Sequence, residues 1–184
     1  MKRTLIALAL SGTLALAISS CKKDRGDDHE HDHEAITKIE LHFTKVGTSV
    51  TEVFTWTDLD GDGGNAPVID EIELEENTTY SVAIELYDGD GHDLTHDIED
   101  HESEHHRFYY SGQGAIGITI NGLDKDINSV TLGLTSTWIT TGHAEGPVKI
   151  TLRHYQNANK EEADLVSSSK SATDAEIEFP VHVH

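Results

Sequence analysis

Short runs in which every second residue is apolar dominate the sequence from residue 35 onward. A period of two places one face of a strand in a core and the other face in water, which is typical of antiparallel sandwiches. We count about eight or nine such runs, separated by Gly, Asp, Asn or Thr. The pattern therefore predicts an all-β, antiparallel β-sandwich of immunoglobulin-like architecture over residues 35–184. The runs begin at Ile39, Phe54, Ile72, Tyr80, Phe108, Ile116, Val130, Val148 and Ile177.

The composition limits the kinds of molecule that the protein is expected to bind. The chain has 34 acidic residues against 13 basic ones, a formal net charge of −21. This excess argues against binding to nucleic acid or to an anionic membrane surface and favours cations as partners. The sequence contains no glycine-rich dinucleotide-binding motif, no P-loop and no alternation of strands with helices.

One segment departs from the strand pattern. Residues 88–106 read DGDGHDLTHDIEDHESEHH and contain five histidines and eight carboxylates, the ligand types that Zn²⁺ prefers when cysteine is absent. A helical spacing runs through Leu94, Ile98, His101, His105 and Phe108, which predicts one short helix near residues 94–106. On such a helix, His101 and His105 would stand one turn apart, as two ligands of one ion do. We therefore predict a metal site formed by His92, His96, His101, His105 and Glu102.

The same segment also fits a metal-free surface helix. Thr95 can cap its start, and His105 and His106 near its end complement the helix dipole. Capping does not require so many histidines, which favours metal binding. Residues 101–105 also match the His-Glu-x-x-His pattern of zinc hydrolases, with Glu102 as the acid. That chemistry needs a long helix and a third ligand downstream, so we expect no enzyme and keep a zinc hydrolase as a remote alternative.

The first 20 residues have the pattern of a signal peptide. Lys2 and Arg3 precede an apolar run that is too short to cross a membrane. The run ends Ile18-Ser19-Ser20-Cys21, which resembles the lipobox of bacterial lipoproteins. The resemblance implies cleavage before Cys21 and lipidation of Cys21, which would anchor the chain firmly to a membrane. Because Lys22 follows the cysteine, the resemblance implies that the protein is anchored in the outer membrane. It leaves open which leaflet the protein faces.

Cleavage before Cys21 would leave 164 of the 184 residues and, by removing two basic residues and no acid, a charge of −23. This length suits one domain. Cys21 is the only cysteine, so metal ligands would have to be histidine, carboxylate or backbone oxygen. Residues 21–34 contain no hydrophobic residue after the cysteine and are predicted to form a disordered tether. Its alternating His29, His31 and His33 suggest a weak, flexible chelator, although a solvated linker is the simpler alternative.

Secondary metal candidates lie in a loop and on the last strand. Asp58, Asp60 and Asp62 resemble the start of an EF-hand loop, but residue 69 is Ile rather than Glu, so turn chemistry is favoured over Ca²⁺. His182 and His184 lie two residues apart on one strand face, as a chelating pair would, and a frayed C-terminus with solvated side chains is an equal alternative.

Three further histidines are interpreted from their positions. His42 would approach the pair His182 and His184 if the first and last strands were neighbours. His143, in a loop, could complete a site at one end of the sandwich. His154 falls at an inward-facing position in the alternation of its strand, which predicts that its side chain lies at the edge of the core.

Three segments resemble small all-β lipoproteins of Bacteroidota. They are residues 58–67 (DLDGDGGNAP), 104–110 (EHHRFYY) and 151–154 (TLRH), together with the lipobox. Some such proteins carry the label of a type 1 periplasmic binding fold. That fold has two α/β lobes and about twice this length, whereas the present sequence predicts one short helix among strands. The resemblance implies no activity and no catalytic residues.

Two functions from different classes remain open. The first is an outer-membrane lipoprotein that binds Zn²⁺ for capture, buffering or delivery to an outer-membrane transporter. The second is a structural or adhesive sandwich module whose acidic loops bind Ca²⁺ or serve only as turns. Zinc binding through neutral imidazole should weaken as the pH falls through about 6.5, whereas binding by carboxylates alone should persist to about pH 5.

Overall fold

The computed structural model describes residues 35–61, 64–156 and 158–184. Their regular structure consists of ten strands, the helix α1 (Thr95–Asp100) and a 3-10 helix (Gln113–Ile116). The strands are β1 (Lys38–Lys45), β2 (Thr51–Thr57), β3 (Val68–Ile69), β4 (Ile72–Leu74), β5 (Thr79–Tyr87), β6 (His106–Ser111), β7 (Ile118–Asn121), β8 (Thr135–Thr140), β9 (Ala144–His154) and β10 (Ala172–Val183). Within these ranges no helix is both long enough and apolar enough to cross a membrane.

The strands form two sheets. One has the order β3-β2-β1-β5-β8-β7 and the other the order β4-β10-β9-β6. Every neighbouring pair is antiparallel except β4 and β10, which run parallel. The predicted all-β sandwich is confirmed, with the addition of this one parallel pair. β4 is a three-residue edge strand of the second sheet, whereas β3 and β5, which flank it in the sequence, belong to the first sheet.

Inward-facing side chains of both sheets meet in one hydrophobic core. Ile39, Leu41 and Phe43 of β1 are each at most 1% exposed, as their alternation predicts. The fully buried ring of Trp138 lies 5.0 Å from that of Phe43 in its own sheet and 6.2 Å from that of Tyr110 in the other sheet. Burial of one such side chain favours folding by about 1.5–3 kcal/mol, so the core fixes which face of each strand points outward.

The apolar residues Val130, Leu132 and Leu134 do not form the strand that their alternation predicts, since β8 begins only after them. Leu132 and Leu134 are nevertheless buried. Between them, Gly133 has a φ of +87°, and an added Cβ would lie 3.1 Å from the carbonyl oxygen of Phe108. The segment therefore passes close to β6 in a conformation that favours glycine, and its side chains fill the core without strand pairing.

The predicted short helix is present, but it ends at Asp100 rather than near residue 106. Leu94 occupies its N-cap and makes no side-chain cap. The prediction that Thr95 caps the helix is wrong, because its hydroxyl oxygen instead accepts a hydrogen bond from the backbone N–H of Leu86 on β5, at 2.8 Å. The helix cannot continue because His106, 2% exposed, already belongs to the buried face of β6.

The sandwich has two ends, named here the near end and the far end. The near end is where β1 begins at Lys38, with α1 following the adjacent end of β5. The far end is where β1 finishes at Lys45, whose Nζ lies 2.5 Å from Oε2 of Glu75. β4 and β10 also finish at the far end, where His184 follows the last residue of β10. β1 has eight residues, so the two ends lie about 25 Å apart at the usual rise of a strand.

Candidate metal centre

The first histidines of the 88–106 segment contact acids four residues away in the sequence. Nδ1 of His92 lies 2.8 Å from Oδ2 of Asp88, and Nε2 of His96 lies 3.2 Å from Oδ2 of Asp100. Both histidine side chains are 70% exposed, whereas the side chain of Asp88 is only 5% exposed. Each imidazole therefore has its own carboxylate beside it.

The helix that was predicted to align His101 with His105 ends before His101, so the predicted alignment is wrong. Nδ1 of His105 instead lies 3.2 Å from the carbonyl oxygen of Tyr155. Glu102 faces His106, with 3.6 Å between Oε2 and Nδ1. Of the predicted set His92, His96, His101, His105 and Glu102, no three bring ligand atoms within 4.8 Å of one another in the described structure. Zinc binding by this set stays a prediction.

Among the described residues, three other groups bring ligand atoms together. In each, a histidine and a carboxylate take part, and the ligand atoms of all three members lie within 4.8 Å of one another. These groups are Glu73 with His182 and His184, His106 with His154 and Asp174, and His42 with Glu40 and Glu85.

The first group stands on the outer face of the four-stranded sheet at the far end. In the parallel pair of β4 and β10, Glu73 lies opposite His182. His184 follows two residues later and shares this outer face. The strands hold the three side chains outward because their alternate residues Ile72, Leu74, Val181 and Val183 are buried.

The spacing of this group suits a tetrahedral ion. Oε2 of Glu73 lies 3.7 Å from Nδ1 of His182 and 3.3 Å from Nδ1 of His184. Zinc holds nitrogen and oxygen ligands at about 2.0–2.1 Å in a tetrahedron, which places neighbouring ligand atoms about 3.3 Å apart. The centroids of the His182 and His184 rings are 5.3 Å apart and the ring planes are inclined by 47°, so the two rings are tilted rather than stacked.

A third imidazole lies beside this group. His143 belongs to the turn between β8 and β9, where Gly142 has a φ of +74°. Its ring meets that of His182 edge to face, with 5.4 Å between centroids and 81° between planes. This contact restrains the His182 ring and places a further nitrogen donor near the centre.

The outer face around the centre is rich in carboxylates. Glu145 faces His182 across the pair of β9 and β10. A shallow depression of about 280 Å³ next to it is lined by Glu71, Glu145 and Glu178. Clustered carboxylates raise the local concentration of cations, so this face should attract a divalent ion to the imidazoles.

The second group lies inside the near end. His106 and His154 pair directly across β6 and β9 and are 2% and 6% exposed, which agrees with the predicted core-edge position of His154. Oδ2 of Asp174 lies 3.3 Å from Nε2 of His106 and 3.6 Å from Nδ1 of His154. The rings stack at 4.3 Å with 23° between planes. Imidazole binds metal through a lone pair in the ring plane, and two nearly parallel stacked rings cannot both aim at one ion. A buried polar network is therefore the better description.

The third group lies on the outer face of β1 and β5, and its carboxylates already have donors. Nε2 of His42 lies 3.2 Å from Glu40 and 3.4 Å from Glu85. Lys38 donates to Glu40 at 2.9 Å and lowers the pKa of that carboxyl. Tyr87 donates to Glu85 at 2.6 Å, and this bond raises the pKa of the phenol. The condition under which His42 would approach His182 and His184 is not met, because β1 and β10 are not neighbours and belong to different sheets.

The acidic loop after β2 uses its carboxylates to build a turn. Asp58 accepts a hydrogen bond from the backbone N–H of Gly61 at 2.9 Å. Asp60 accepts two from Asn65, at 3.0 Å from the backbone and 2.6 Å from the side-chain amide, and they lower the pKa of Asp60. This geometry favours the turn interpretation over a calcium loop. Asp62 lies outside the described residues, as do Cys21, His29, His31 and His33.

No family model, curated protein or solved structure matches this chain.

Proposed function

We propose that this protein is a lipoprotein of the outer membrane that captures or buffers Zn²⁺ and delivers it to an outer-membrane transporter. The observation that carries the proposal is the group of Glu73, His182 and His184, whose ligand atoms all lie within 4.8 Å of one another, with the Glu73 oxygen 3.3 and 3.7 Å from the two imidazole nitrogens. Their side chains are 51%, 33% and 53% exposed. An exposed site exchanges its metal with the surroundings, which capture and delivery require.

The donor set favours zinc over calcium. Two imidazoles and one carboxylate are a set that zinc sites use when one coordination position stays open. Calcium takes six to eight oxygen ligands, which this group does not offer. Cu²⁺ and Ni²⁺ also accept imidazole, so they are the natural competitors in any titration.

The lipobox resemblance supports an anchor at Cys21. Within the described residues, the chain starts at the near end and the centre lies at the far end, about 25 Å away. The tether histidines His29, His31 and His33 would act as weak collectors along the way.

The test is calorimetric titration of zinc into the full chain in detergent. We expect submicromolar binding that weakens at least about 100-fold in the double variant His182→Ala/His184→Ala. The matched control is His101→Ala/His105→Ala, which also removes two exposed histidines, and it should retain the tight phase. Loss of tight zinc binding in His101→Ala/His105→Ala alone would instead place the zinc site in the helical segment. Tight binding that survives in both variants would contradict the proposed centre.

The acidic turn after β2 favours a second candidate, a structural or adhesive sandwich module. The carboxylates of Asp58 and Asp60 already serve the turn, so that loop needs no ion to hold its shape. The same titration separates the two functions, because a module of this kind would show no zinc binding tighter than the millimolar range.

A further inference from the structure

The turn between β8 and β9 brings His143 to the candidate centre. Ala144, the residue after it, is the first of β9 and pairs with Val183 of β10. Val183 stands between His182 and His184 in the sequence. One end of the turn is therefore fixed beside both imidazoles of the centre.

The other end of the turn is held beside the third ligand. Thr140 is the last residue of β8, and its Oγ1 donates a hydrogen bond to the carbonyl oxygen of Glu75 at 2.7 Å. Glu75 comes two residues after Glu73, just beyond the end of β4. The turn thus spans from the strand of the carboxylate ligand to the strand of the two imidazoles.

The middle of the turn gives the His143 ring room to move. The backbone N–H and the hydroxyl of Thr141 both donate to the carbonyl oxygen of Gly117, at 2.9 and 2.8 Å, and fix the turn up to that residue. Gly142 follows with a φ of +74°, and the side chain of His143 is exposed. Rotation about the side-chain bonds of His143 therefore needs no change in the strands.

The rings already have the separation that a shared ion requires. Zinc holds an imidazole nitrogen at about 2.0–2.1 Å, and the ring centre lies about 1.1 Å further out, so two imidazoles on one tetrahedral ion have centres about 5.2 Å apart. The centroids are 5.4 Å apart for His143 and His182 and 5.3 Å apart for His182 and His184. His143 does not belong to the group whose ligand atoms lie within 4.8 Å of one another, so its ring must turn to bring a nitrogen to the ion.

The centre has one coordination position to fill. Glu73, His182 and His184 supply three donor atoms, whereas zinc takes four. Glu145 is the competing fourth donor, because it faces His182 across the pair of β9 and β10. Imidazole suits zinc, copper and nickel, whereas carboxylate is more typical of magnesium and calcium sites, which favours His143.

We propose that His143 is the fourth ligand of the centre and the one that a receiving partner displaces. The other three ligands stand on or directly after paired strands, whereas His143 stands on a turn beside a glycine, so it can leave without disturbing a strand. Capture ends when His143 closes the coordination, and delivery begins when a ligand of the partner replaces it. The inference rests on the proposed function, because the ion defines the centre.

The first measurement is calorimetric titration of zinc into the full chain in detergent. His143→Ala should weaken binding by at least about tenfold, since even groups that only orient a metal ligand are worth about 10–100-fold in affinity. The matched control is His101→Ala, which also removes one exposed histidine and should bind zinc as the native chain does.

The second measurement asks whether the fourth position is open. The protein is loaded with Co²⁺, and free imidazole is titrated while the visible absorption of the metal is recorded. Imidazole should bind His143→Ala at least about tenfold more tightly than the native chain, because in the native chain it must displace a tethered imidazole of millimolar or higher effective concentration. Glu145→Gln should keep the weaker, native response.

The outcomes separate the two proposals. If His143→Ala binds zinc and imidazole with native affinities, or if Glu145→Gln rather than His143→Ala tightens the binding of imidazole, His143 is not the fourth ligand and the three-residue centre stands. A native chain that fails to bind zinc in the first titration would overturn both proposals.

Discussion

Lys160 is a buried cation whose removal should destabilise the fold strongly. Its Nζ lies 3.0 Å from Oδ2 of Asp126, and each of the two side chains is only 1% exposed. The same ammonium donates to the carbonyl oxygens of Ser103 at 2.7 Å and His106 at 2.8 Å. One side chain therefore connects the loop after α1, the loop before β8 and the loop after β9.

Lys160→Met should lower the free energy of unfolding by about 3–5 kcal/mol, the usual cost of removing one partner of a buried ion pair. Methionine fills a similar volume but donates nothing. Burial lowers the pKa of Lys160 and the carboxylate of Asp126 opposes this shift, so desolvation offsets much of the attraction. Most of the cost should then come from the stranded Asp126. The double variant Lys160→Met/Asp126→Asn should recover part of the loss.

Urea unfolding monitored by circular dichroism measures these differences. For a domain of this size, the expected loss corresponds to a fall in Tm of roughly 10 °C. Lys170→Met is the matched control, because Lys170 is 38% exposed and pairs with Glu161 and Asp164 at 3.1 Å. It should cost less than about 1 kcal/mol. Equal losses from the two lysine variants would refute the reasoning that burial decides the cost.

Two further predictions concern single hydrogen-bonded side chains. Glu162 accepts hydrogen bonds from the backbone N–H and the hydroxyl of Thr131, at 2.8 and 2.9 Å, and the backbone bond is the main cause that lowers its pKa from 4.5. Its contribution to stability is complete above pH 4.5 and is lost as the pH falls through the lower, folded value. The Tm of the native chain should therefore fall more steeply than that of Glu162→Gln between about pH 5 and 3, and parallel curves would contradict this. Thr95→Val removes the acceptor for Leu86 and should cost about 1–2 kcal/mol in urea unfolding, whereas Thr95→Ser should cost less.

The faces of the strands could be predicted from the sequence, because the period of two follows from which side chains are buried. Ile39, Leu41 and Phe43 show this directly. The pairing partners could not be predicted, because period and propensity do not state which strand lies beside which. The parallel pairing of β4 with β10 is the clearest case, and it decides the candidate centre.

Two of the three ligands of the candidate centre could be predicted from the sequence. His182 and His184 form a reliable local signal, since residues two apart on a strand always share a face. Glu73 carried no such signal, because it joins the pair only through the strand order. The predicted alignment of His101 with His105 in the denser histidine segment was wrong for a related reason, because it assumed a helix that continues past Asp100.

These two kinds of histidine cluster differ in how they depend on folding. Glu73 meets His182 and His184 only through β4 and β10, which pair over three residues, so the complete ligand set exists only in the folded chain. The two imidazoles alone, like the histidines of residues 29–33 and 92–106, stay near one another in the unfolded chain as well. A metal that binds the folded state more tightly stabilises it, whereas one that binds both states equally does not. A rise in Tm caused by zinc at the far end therefore depends on Glu73, through which the ion would tie the short edge strand β4 to β10.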